Sequence, residues 1–174
     1  VLVTLAPGAS TVVELPWTLS HIRAGTGPIL DAGSVLNAPY ILSTAPLRAR
    51  AIVVYSLELD WVHIDPRISY IHGDFRAPIL RDGLFDTIVC ISTLEHVGMW
   101  PIPKPPYDVE LARPQPAKDL FAYREALQVF HRLLRPGGQL LLTVPFGRRE
   151  DHDWLQVFDA AGIEDIKKAF GGRT

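Results

Sequence analysis

Four short apolar runs, each closed by a turn or a charged residue, constrain this chain more than any other feature. They are residues 28–31 with their flanks, 51–57, 85–92 and 138–144, and a shorter one spans 68–71. Such runs, unbroken rather than alternating, are expected of strands buried on both faces, hence of a parallel sheet covered by helices. The intervening sequence supplies helices. Leu120, Tyr123, Leu127, Phe130 and Leu134 recur at three- and four-residue spacing and predict a helix over 119–134, with Asp119 near its start and Arg135-Pro136-Gly137 at its end. A second amphipathic stretch covers 154–170. Asn37 and Pro46 bracket a short helix at 38–45, and Pro16 opens another that runs to Ile22. The expectation is an α/β architecture: an open, mostly parallel sheet with helices on both faces, formed as one domain over 1–174.

Composition removes several classes of function. Seventeen Lys and Arg against nineteen Asp and Glu leave a net charge of −2, so no basic surplus points to nucleic acid. The lone Cys90 excludes an internal disulfide framework and any multi-cysteine zinc site. No apolar run approaches the ~20 residues of a membrane span, and the expected location is the cytoplasm. Fifteen prolines are unevenly spread. Six of them fall in 98–118, which reads as an irregular insert leaving the carboxyl end of a strand, either a surface excursion or a lid over substrate.

In open parallel sheets ligands bind beyond the carboxyl ends of the strands, so the strand-end residues carry the chemistry. The first run ends in Asp31-Ala32-Gly33-Ser34, where a glycine lets backbone approach a ligand closely. The next reaches Glu58, a carboxylate able to accept from a ribose diol. Asp74 and Phe75 follow the short run and offer an acceptor beside an aromatic ring suited to adenine. Ser92-Thr93-Leu94-Glu95-His96 closes the fourth strand in chain order. His96 and His152 are the side chains able to take a proton from a substrate. Asp151-His152-Asp153 resembles a metal cluster, but consecutive residues rarely converge on one ion, and no metal is expected.

In this order, ILDAGS, YSLEL, GDF, LFDTIVCISTLEHVG and LLRPGGQLLLTVPFG resemble a class I S-adenosylmethionine-dependent methyltransferase, over roughly residues 16–147. The resemblance implies a Rossmann-like fold with S-adenosylmethionine as cofactor. It assigns Asp31, Gly33 and Ser34 to the cofactor loop, Glu58 to the ribose, Asp74 and Phe75 to the adenine, and Ser92 and Leu94 to the methionine end. Residues 16–22, the short link after Glu58 and the Val144-Pro145-Phe146-Gly147 ending are similar to a bacterial subset associated with cell-surface polysaccharide. That implies a small-molecule or sugar-type acceptor. The loop departs from the family, whose members continue with two further glycines where this chain has Val35 and Asn37. The alternative is a catalytically degenerate binding or assembly module of the same fold. Members of the family close the sheet with an antiparallel pair after the last helix, for which this sequence has no room. The implied consequence is a bare edge on 139–144, open to homodimer formation.

Overall fold

Alternation inside the strands divides the core in two. The computed structural model describes residues 2–5, 10–57, 63–99 and 117–171. Six strands form one sheet: β1 (Leu2–Leu5), β2 (Ile29–Ala32), β3 (Ile52–Ser56), β4 (Ile68–His72), β5 (Phe85–Ile91) and β6 (Leu134–Pro145), in spatial order β1-β6-β5-β2-β3-β4. All neighbours are parallel. Every residue of β5 is buried. Ile88 and Cys90 feed one hydrophobic layer with Leu30, Phe130 and Ile166, while Val89 and Ile91 feed the other with Ile29, Leu42 and Leu15. Successive side chains of a strand point to opposite faces, so two layers of helix are required.

Helices α1 (Ser10–His21) and α2 (Pro39–Leu42) supply one layer, and α3 (Tyr123–Leu133) and α4 (Ala160–Ala169) the other. On α3 the buried Tyr123, Ala126, Leu127, Phe130 and Leu133 make a single stripe. A fully buried side chain such as Phe130 contributes roughly 1.5–3 kcal/mol. The phenol of Tyr123 donates to Asp165 at 2.5 Å and Arg124 pairs with the same carboxylate at 2.7 Å, which fixes α3 against α4.

Five helix limits and one edge differ from expectation. The third helix begins at Tyr123, because Asp119 accepts from the Phe121 amide at 2.9 Å and closes a local turn instead. It also ends earlier, since Leu134 already pairs with Phe85; the Pro-Gly-Gly turn lies within β6, where the register shifts. The last helix starts at Ala160, capped by Asp159 accepting from Gly162 at 2.8 Å. The residues before it instead form a small antiparallel ribbon, β7 (Glu150–Asp151) with β8 (Gln156–Val157). Near the first cofactor-loop run, Ala38 rather than Asn37 stands at the helix cap, because the Asn37 amide donates to Ser34 Oγ at 3.1 Å. Pro16 does not open its helix but lies exposed within α1.

The edge of β6 is not bare. β1 pairs along it in parallel, Leu2 facing Leu142 through Leu5 facing Pro145. The ladder that was expected to seek a second copy is satisfied from within the chain, and the physical basis for a homodimer through it disappears. Among the described residues no strand pair follows α4. No helix among them is long and apolar enough to cross a membrane. The proline-rich insert at 100–116, with Trp100, lies outside the described residues, as do Glu58 and Trp61.

Candidate functional site

The chain leaves β2 toward β3 and β4 on one side and returns through β5 and β6 on the other, so the switch point lies between β2 and β5. Here Asp31 is fully buried and both its oxygens are engaged, by the amides of Val35 at 3.0 Å and Leu36 at 2.7 Å. Burial pushes its carboxyl up to about 6, against the pull of those amides and that of Ser34. Asp31 therefore shapes the loop rather than facing a ligand. Gly33 has φ +117°, and a Cβ there would come within 2.1 Å of Thr93 Oγ1. Its amide donates to the Tyr55 carbonyl at 3.0 Å, stitching the loop to the end of β3. Ser34 follows in the left-handed region at φ 73°. The backbone thus reverses tightly with no side chain at the point of closest approach to β5, which is what one glycine can provide without the two that are missing.

Beyond β4, the Tyr55 hydroxyl donates to the Asp74 carbonyl at 3.0 Å and brings this turn beside the loop. The Asp74 carboxylate pairs with Arg76, Nη2 to Oδ2 at 2.6 Å, and that guanidinium holds it below the usual carboxylate range. Phe75 is 8% exposed, its ring packed edge-on against Tyr55 and Phe130 at 5.7 and 5.5 Å. The ring that sequence reasoning offered to adenine is a core ring.

At the end of β5, Ser92 takes a left-handed conformation, φ 44°. Its amide donates to Thr143 Oγ1 at 3.0 Å, and its hydroxyl to both oxygens of Glu14 at 2.8 and 3.0 Å. Leu94 is wholly buried in the core. Glu95 is 3% exposed, one of its oxygens has no hydrogen-bond partner, and burial, aided by the Glu14 charge, pushes its carboxyl up to about 8. Glu14 was missed from the sequence. The signal was there, however: Glu14 and Thr18 on α1, and Ile22 just beyond its end, recur every fourth residue and are all buried, so an acid sits on an otherwise core-facing stripe.

The two histidines meet the β7–β8 ribbon. His96 Nδ1 lies 2.7 Å from the Trp154 carbonyl, with its ring stacked on the indole at 5.3 Å. A bond to a carbonyl requires the proton on Nδ1, which makes Nε2 the basic nitrogen. His152 is exposed in the ribbon's turn, with Nε2 3.2 Å from Glu150. Its neighbours Asp151 and Asp153 both bind Lys118 Nζ, at 2.6 and 2.9 Å. A shallow hollow of about 190 Å³ opens beside them, lined by Leu120, Arg149, Glu150, Asp151 and Gln156. The structure gathers Asp31, Gly33, Ser34 and Ser92 at the switch point, sets Asp74 beside them through Tyr55, and keeps His152 apart on the surface.

No family model matches the sequence, and neither does any curated protein. Solved structures do match. A putative methyltransferase from Bacillus halodurans C-125 superposes with a TM-score of 0.62 at 14% identity, covering 91% of this chain and 68% of its own. Phosphoethanolamine N-methyltransferase 2 of Haemonchus contortus, solved with phosphomonomethylethanolamine and S-adenosylhomocysteine, gives 0.64 at 15%, covering 95% and 38%. This chain has the class I methyltransferase fold. That fold also matches the [4+2]-cyclase SpnF, with a TM-score of 0.59 at 16% identity, and this chain covers 90% of itself and 55% of that enzyme. The chain therefore spans between about two-fifths and two-thirds of the lengths of these three. Within the methyltransferase fold, the Asp31–Asn37 loop is the one that follows the first central strand, and Ser92 stands across the switch point from it.

Proposed function

We propose that the chain is a single methyltransferase domain, acting in the cytoplasm, that transfers a methyl group from S-adenosylmethionine to a small-molecule or sugar-type acceptor. The observation that carries this is the Cβ-free turn at Gly33, held by the buried Asp31 against the left-handed end of β5 at the switch point. Any Cβ at Gly33 would overlap the Thr93 side chain, so the glycine lets the loop pack directly on the end of β5, where its backbone amides and the Ser34 hydroxyl are the groups offered to a cofactor. Gly33 and Ser34, in the loop that Asp31 closes, and Ser92 would hold its methionine end and Asp74 its adenine side, with Glu58 as the ribose acceptor.

When bound, the cofactor supplies an electrophilic sulfonium methyl group. The chain's own work is positioning and exclusion of water, the terms that suffice for an intrinsically reactive donor. Asp31 keeps the loop closed by satisfying consecutive amides. Thr93, whose hydroxyl donates to the Ile91 carbonyl at 2.8 Å, walls the glycine from the other side. His96, oriented by the Trp154 carbonyl and indole, presents Nε2 as a proton acceptor, and His152 is the alternative acceptor at the rim.

Titration calorimetry with S-adenosylhomocysteine tests the reading. Measurable binding, weakened at least several-fold in Asp31→Ala and Gly33→Ala, is expected. Absence of heat with folded protein refutes it. Cofactor binding with no methyl transfer to any acceptor would favour the binding-module alternative.

A further inference from the structure

Beyond the loop and the histidines, the polar group that the fold leaves least explained is an acidic one, at the carboxyl ends of β5 and β6. Glu14 and Glu95 are each 3% exposed. Among the described residues no Lys, Arg or His bonds either one, and the Ser92 hydroxyl is the side-chain donor that reaches Glu14. Elsewhere the chain does pair its buried acid: Asp86 has both Arg50 and Arg135. A buried carboxylate without a cation is costly, and proteins meet that cost with a partner, a proton or a bound ligand.

Two further polar atoms in this neighbourhood are unpartnered and inaccessible. One is Glu95 Oε2 and the other is Thr18 Oγ1, one turn beyond Glu14 on the same buried face of α1. The ionisable group acting on Glu95 is Glu14 from α1, and Glu95 in turn acts with Asp31 on the Cys90 thiol of β5, which burial pushes well up. Nothing positive is among them. Ser92, which donates to Glu14, is only partly buried.

Position adds the role. The glycine turn, Tyr55 and Asp74 occupy the β2–β3–β4 side of the switch point, whereas Glu14, Ser92, Glu95 and Thr143 lie on the β5–β6 side. A donor seated on the first side leaves the second to its acceptor. We propose that Glu14, with the neighbouring Glu95, binds the ammonium group of the methyl acceptor and takes its proton, so that the acceptor is an amine rather than an alcohol or a carboxylic acid. This rests on the methyl-transfer reading for its chemistry. An ammonium gives one proton to the Glu14 carboxylate; the freed nitrogen lone pair forms the N–C bond as the methyl–sulfonium bond breaks, and that bond's electron pair stays on sulfur. The product amine carries the positive charge. Ser92 must turn its hydroxyl away to admit the ligand.

The test uses the whole chain saturated with S-adenosylhomocysteine, and also the chain alone, with n-butylammonium, n-butanol and butyrate as probes in titration calorimetry. The ammonium should bind and the other two should not. Glu14→Gln should weaken it about tenfold or more, the loss expected for a buried charged hydrogen bond. Repeating the titration near pH 7 in buffers of different ionisation enthalpy should show a proton released on binding, as the neutral Glu95 ionises beside the incoming charge; Glu95→Gln should abolish that release. Equal binding of n-butanol, or ammonium binding unchanged in a folded Glu14→Gln, overturns the proposal. The two readings separate cleanly: S-adenosylhomocysteine binding without ammonium binding sinks only this inference. Ammonium binding without S-adenosylhomocysteine binding upholds the cation site and removes methyl transfer.

Discussion

At the scale of single residues, two side-chain environments make opposite demands. Gly33 must stay without a Cβ, since φ +117° and the 2.1 Å approach to Thr93 Oγ1 exclude one. Gly33→Ala should cost roughly 1–3 kcal/mol, the range for an L-residue forced into a sparsely populated backbone region, and denaturant melts at fixed pH will read it. Glu95 works the other way. Its folded carboxyl is raised from 4.5 to about 8, so between those values the folded state binds the more protons. Stability is then fullest below the unfolded value and falls as pH rises through the window. Glu95→Gln should flatten the fall between about pH 5 and 8 and stabilise the protein at pH 8 by an amount on the order of a few kcal/mol. A wild-type curve that rises over this window contradicts the assignment. What could be read from the chain alone was position: Asp31, Gly33, Asp74 and Ser92 do stand at the ends of strands. Phe75 and Leu94 could not be separated from core residues, because a strand-end aromatic or leucine looks the same whether it faces a ligand or Phe130. Glu14 lies far from every predicted strand end, and only its place on the buried stripe with Thr18 marks it.

At the scale of elements, strands were legible and helix limits were not. Short apolar runs placed β3, β4 and β5 within a residue or two of their predicted bounds, although β4, at the edge of the sheet, has no buried residue and only β5 of the three is buried throughout. Helix limits depend on competing hydrogen bonds. Asp119 closes a turn where it was expected to cap, and 154–159 is claimed by a ribbon whose pairing partner lies at 150–151. Least legible was β1, whose partner stands at the opposite end of the sequence. Its pairing makes a prediction: a chain lacking residues 1–6 exposes the edge of β6, and edges of that kind recruit other chains. Light scattering should show concentration-dependent self-association of that shortened chain and less of it in the intact one.

At the scale of the whole molecule, the two ends of the sheet divide the work. The proposed site lies at the carboxyl ends, while the amino ends carry an ion-pair network of Asp86 with Arg50 at 3.3 Å, Arg135 at 2.9 Å and the Gly27 amide at 2.9 Å. Arg50 is 2% exposed. Asp86→Ala strands that guanidinium without its counter-charge and should cost about 3–5 kcal/mol, measured by chemical denaturation. S-adenosylhomocysteine affinity of the folded fraction should not change, because the site is at the far end of β5. The parallel pairing of Leu2 with Leu142 also bears on how the molecule is made. A strand synthesised first must wait, unpaired, until nearly all of the sheet has left the ribosome, and closing so long a loop slows folding. The slowest step of refolding should therefore be the docking of β1, and the other five strands should protect their amides from exchange before it does.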